Sequence, residues 1–113
     1  MSKAFAAPLF LARLKPLLEE RKLVFKPRNA RRTWEFMLKE GHNEEDAYAI
    51  IAQLKPEHYQ KGPEVDENGT HGNVMVFFYP YKKIHLYIKL KIWTNSHGDA
   101  GAVMSFHEEG MYD

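Results

Sequence analysis

Cysteine is absent from this sequence, which excludes disulfides and thiolate metal ligands and makes a reducing, cytoplasmic setting the expected one. No apolar run approaches the ~20 residues that a membrane-spanning helix requires, so no membrane partner is expected. His42, His58, His71, His85, His97 and His107 form no HxH, HxxxH or HExxH pair, the spacings that bring two imidazoles to one metal. Neither a metal site nor a cofactor is predicted. A GxSxG turn and a glycine-rich phosphate loop are also lacking, as are repeats, low-complexity tracts and flexible linkers. Residues 1–113 therefore read as one domain, long enough to bury a modest core without staples.

The formal net charge of +1 singles out no partner, but the charges are segregated. Seven basic residues and one acid, Glu35, lie from Arg21 to Lys39; eight acids and two lysines occupy 40–67; and 82–91 is purely positive. That order is compatible with a cationic face for a polyanion and a separate acidic surface. Leu9, Phe10, Leu14, Leu17 and Leu18 recur near helical spacing and run into charged residues, which predicts an amphipathic helix over 9–21 rather than a signal peptide. Pro8 suits its first turn, and Pro16 is expected to kink or divide it. Asn29 is the expected N-cap of a second helix over 30–39, with Trp34, Met37 and Leu38 as its buried stripe and Gly41 as its stop. Asn43 followed by three acids starts a third, burying Ala47, Ile50, Ile51 and Leu54. Leu23-Val24-Phe25 is too short to assign, and the glycines, Pro63 and Asn68 of 62–72 mark a loop.

Strands are predicted over 73–79, 84–93 and 102–107, with connections short enough for antiparallel hairpins. Helices first and strands afterwards predict an α+β fold, its N-terminal helices packed on one face of a small antiparallel sheet. Residues 84–93 read IHLYIKLKIW. Alternation sends Ile84, Leu86, Ile88, Leu90 and Ile92 to one face and His85, Tyr87, Lys89, Lys91 and Trp93 to the other. In the last strand, Met104 and Phe106 are expected to join the core, leaving Val103, Ser105 and His107 on the side of Tyr87 and Lys89. The helices can cover only one face, so the second is expected to lie open to a ligand.

Imidazole, phenol and ammonium groups on one face suit RNA cleavage. A 2′-hydroxyl must lose a proton, the phosphorane must be stabilised, and the departing 5′-oxygen must gain a proton. Imidazole can act as base or acid near neutral pH, lysines stabilise the developing charge, and exposed aromatics stack unpaired bases. Each residue also has a plainer role: Tyr87 as a packing ring, Lys89 and Lys91 as solubilising groups, His107 as a strand-end residue.

Phe25-Lys26-Pro27-Arg28, the run IIAQLKPEHY at 50–59, Gly62-Pro63-Glu64, Val74-Met75-Val76-Phe77, YIKLK at 87–91 and Ser105-Phe106-His107 follow one another in an order that resembles the MqsR family of type II toxins. These are mRNA interferases related in fold to RelE. The resemblance covers nearly the whole chain. It implies a metal-independent endoribonuclease that cuts single-stranded mRNA and is neutralised by a cognate antitoxin, often a zinc-binding protein with a helix-turn-helix DNA-binding domain. Activity in the family is linked to a Lys after a Phe-Tyr pair, a Gln on the first sheet strand, a Tyr on the central strand and a terminal Lys. These positions fall on Gln60, Val74, Tyr87 and His107, so three of the four differ here, and Lys61 stands one place after Gln60. The resulting expectation makes His107, Tyr87, Lys89 and Lys61 catalytic, with Tyr59, Gln60, His85 and Lys91 binding RNA. Two other readings stay open: an RNA-binding module without catalysis, and a protein-interaction domain of the same fold.

Overall fold

Ala7, Phe10, Leu14 and Leu17 supply the buried stripe of α1, Ala6–Glu19, in a computed structural model that describes residues 6–27, 30–65 and 72–110. Pro16 does not divide this helix. The carbonyl it leaves without a donor belongs to Ala12, and Ala12 and Pro16 are both exposed, so water can replace the missing bond while the apolar stripe holds the turn in place.

The second helix, α2, spans Ala30–Glu40 and buries Thr33, Phe36 and Met37. The expected stripe is rotated: Trp34 is 43% and Leu38 83% exposed. Phe36 decides the rotation, its ring packing at 6.1 Å from Phe106 of the sheet, while Trp34 leans on Phe25 at 5.3 Å. The proposed cap Asn29 lies outside the described residues. The third helix, α3, is Glu44–Ile51, and Asn43 caps it as expected. Its side chain accepts from the Asp46 N–H and the Asp46 carboxylate accepts from the Asn43 N–H, both at 2.9 Å, satisfying two donors that a bare helix end leaves orphaned.

Five strands follow from the backbone: β1 Leu23–Phe25, β2 Tyr59–Val65, β3 Asn73–Tyr81, β4 Ile84–Asn95 and β5 Gly98–Glu108. They form one sheet in the order β1-β5-β4-β3-β2. β1 runs parallel to β5 and the other pairs are antiparallel, so the sheet is mixed, which corrects the expectation of a purely antiparallel one. Two strands went unassigned in the sequence for physical reasons. β1 has only three residues, too few to show a period. β2 carries Gly62 and Pro63, which pattern reading treats as breakers; it is an edge strand, where a residue without an N–H is tolerated.

The core fills the space between the helices and one sheet face, where Met75, Phe77, Leu86, Ile88, Leu90, Ile92, Val103 and Phe106 meet α1, α2 and α3. Burying one such side chain stabilises by roughly 1.5–3 kcal/mol. Val103 belongs to this core and Met104 does not, a correction to the simple alternation. The register shifts between the Lys89–Ser105 and Leu90–Val103 pairs, and the extra residue, Met104, reverses the parity of everything before it. Among the described residues no helix is long and apolar enough to cross a membrane.

Candidate functional site

The sheet face opposite the helices is set by the β4 alternation. Tyr87 pairs with Phe78 of β3 and His107 of β5; Lys89 pairs with Val76 and Ser105; Lys91 pairs with Val74 and Ala102. On β2, Lys61 pairs with Val76 and Glu64 with Val74. Three rows therefore cross the face: Phe78–Tyr87–His107, then Lys61–Val76–Lys89–Ser105, then Glu64–Val74–Lys91–Ala102. Successive rows lie two residues apart along β4, ~7 Å.

The rings of Tyr87 and His107 stack, their centroids 5.3 Å apart and their planes within 6°, while Phe78 tilts against Tyr87 at 5.8 Å. His107 Nδ1 lies 2.9 Å from the backbone carbonyl of Glu108. A carbonyl only accepts, so this nitrogen carries the proton, and in the neutral ring Nε2 holds the lone pair. His107 is only 2% exposed. The side of the sheet is as expected, but the ring is nearly closed to solvent rather than lying in an open groove.

Val74 and Val76 are 2% and 0% exposed, although their register places them on this face. Val76 sits between the stems of Lys61 and Lys89, which can cover an apolar floor while keeping their charges outward. The second face is thus an apolar strip flanked by cations, with an aromatic row beside it. Lys61 is exposed and Lys89 partly so.

The other predicted residues divide. His85 is exposed and pairs with Pro80, beyond the aromatic row. Gln60 is the extra residue where β2 shifts register between Tyr59 and Lys61, and it is exposed beside Lys61. Lys91, expected to bind RNA, is 7% exposed, its ammonium 5.6 Å from the Trp93 ring centre. Tyr59 leaves the site altogether: it packs against the helix-side core and donates its hydroxyl to the Gly62 carbonyl at 2.7 Å. Phe78 was overlooked, although alternation through Val74 and Val76 points to it.

Among the described residues no three His, Cys, Asp or Glu side chains gather closely enough to hold a metal. A depression of about 290 Å³ between α1 and α3, lined by Leu17, Leu18, Leu23 and Tyr48 with Arg21, Glu44 and Glu45, lies away from the rows above and carries no acid–base pair suited to the same chemistry. Comparison with protein-family models, curated proteins and solved structures found no match.

Proposed function

We propose that the chain is an endoribonuclease of the toxin type, a member of the MqsR family with a RelE-like fold, cutting single-stranded mRNA without a metal and silenced by a cognate antitoxin. The observation that carries the reading is the stacked Tyr87–His107 pair next to the row containing Lys61 and Lys89. In this mechanism His107 Nε2 takes the proton of the 2′-hydroxyl. The 2′-oxygen then attacks phosphorus, the bond from phosphorus to the 5′-oxygen breaks, and the departing 5′-oxygen takes a proton from the His107 imidazolium, giving a 2′,3′-cyclic phosphate and a 5′-hydroxyl and returning the neutral ring. Tyr87 holds the imidazole plane, and its phenol faces the same phosphate. Lys89 and Lys61 stabilise the charge that builds on the phosphorane. Of the departures at Gln60, Val74 and His107, the last puts an imidazole where the family has its terminal lysine, and an imidazole can serve as either base or acid.

The test is cleavage of a long unstructured RNA by purified parent and His107→Ala, with a thermal melt to show that both are folded. Loss of a general acid–base group lowers the rate by ~10²–10⁴-fold; equal rates overturn the role of His107. The 2% exposure of this residue favours a second reading, a module that holds RNA on the same face without cutting it. RNA bound and recovered intact from the parent protein is the outcome specific to that reading.

A further inference from the structure

We infer that the substrate backbone crosses the strands instead of following β4, and that Lys26, at the β1 edge, is the third cation of its path. This inference rests on the RNA reading above. On β1, Leu23 is buried in the helix-side core, and the Phe25 ring packs against Trp34, Tyr48 and Phe106. Val24, between them, must point the other way; it is 41% exposed and pairs with Ala102. The ladder continues one residue past the strand, because the Lys26 N–H donates to the Val103 carbonyl at 3.0 Å. Alternation then sets the exposed Lys26 side chain on the face of Val24, beside the Met104 bulge that brings Ser105 opposite Lys89.

Lys61 and Lys89 consequently stand on the first and third strands of the sheet order β2-β3-β4-β5-β1, and Lys26 one residue past the fifth. Neighbouring members are two inter-strand spacings apart, ~10 Å. This cationic line runs next to the Tyr87–His107 row over its full width. A path along β4 is poorer in accessible charge. Its next cation, Lys91, is 7% exposed and held toward Trp93, and Glu64 lies in the same row, where a carboxylate repels phosphate. Lys22 provides a comparison on β1's own side of the molecule: it is exposed, but its ammonium is 3.1 Å from Glu20.

The experiment measures binding of a 2′-O-methyl oligonucleotide, which lacks the attacking hydroxyl, and cleavage of the matching RNA, by full-length parent, Lys26→Gln, Lys26→Arg and Lys22→Gln. One lost phosphate contact reduces the slope of log affinity against log salt by ~0.7 for a single strand. Lys26→Gln is expected to show that smaller slope and a raised KM with kcat unchanged, the signature of binding shared by ground and transition states. Lys26→Arg restores the slope, and Lys22→Gln matches the parent. If the parent binds and cuts RNA while Lys26→Gln keeps the parent slope, or if Lys22→Gln loses as much, the crossing path is wrong and the nuclease reading stands. If the parent neither binds nor cuts RNA, both are wrong.

Discussion

At the residue scale, the imidazole of His107 meets the Glu108 carbonyl and the Tyr87 ring. The Glu108 carbonyl fixes which nitrogen carries the proton, and the Tyr87 ring, parallel at 5.3 Å, fixes the plane. Tyr87→Phe keeps the stacking surface and removes only the hydroxyl, whereas Tyr87→Leu removes the flat support as well. The expected order of cleavage rates is parent, then Tyr87→Phe, then Tyr87→Leu, measured on one RNA at equal stability. Equal rates for the last two would mean that the stack contributes nothing. That Tyr87 and His107 share a face was legible in the sequence, because both lie on the side of the register shift away from the β4–β5 turn, where alternation from Ser105 to His107 holds. Val103 was misplaced because it lies on the far side of the Met104 bulge, and a bulge has no signature in the period. The burial of His107 and Lys91 was also illegible: composition shows which groups are polar, while their exposure depends on what packs beside them.

Between elements, α1 is tied to the β4–β5 hairpin by a small polar cluster. Arg13 donates to both oxygens of Asp99, at 3.0 and 2.9 Å, and Thr94 donates its hydroxyl to the same carboxylate at 2.7 Å. The Arg13 guanidinium, with Thr94, holds the Asp99 carboxyl down to about 2. A carboxylate whose folded value is depressed adds stability above its unfolded range, ~4, and that contribution disappears as the pH falls through the folded value. Asp99→Asn should therefore be less stable than the parent near neutral pH, by ~1 kcal/mol or less because the pair is about one-third exposed. The gap should narrow as acid is added from ~pH 4 toward about 2, as followed by chemical denaturation. A constant gap across that window would assign the effect to packing. Phe106 joins elements differently, its ring meeting Phe25, Phe36 and His42. Phe106→Ala should cost about 3–5 kcal/mol in the same measurement, and a value below ~1 kcal/mol would show that this junction is not part of the core. α3 was readable because Asn43 and three acids mark its start, and α1 because Phe10, Leu14 and Leu17 recur at helical spacing. The α2 stripe was not, since Trp34, Met37 and Leu38 are as apolar as Thr33, Phe36 and Met37; the sheet chooses between the two rotations through Phe36.

For the molecule as a whole, helices pack on one side of a five-stranded mixed sheet, and the proposed RNA path lies on the other. Its general α+β class could be read from helices preceding strands. Its full width could not, because β1 and β2 are edge strands with little pattern, and they are the strands that carry Lys26 and Lys61 to the two flanks. Cleavage on such a face should weaken with salt, since each phosphate contact releases counterions, and rates measured at low substrate from low to moderate salt check this; a rate independent of salt would exclude a phosphate-bound substrate. The decisive experiment is to incubate the purified parent protein with a long single-stranded RNA in excess EDTA and to determine the chemical ends of any fragments. Fragments ending in a 2′,3′-cyclic phosphate and beginning with a 5′-hydroxyl are expected. Intact RNA, or ends carrying a 3′-hydroxyl and a 5′-phosphate, would contradict the proposed chemistry of His107 and Tyr87.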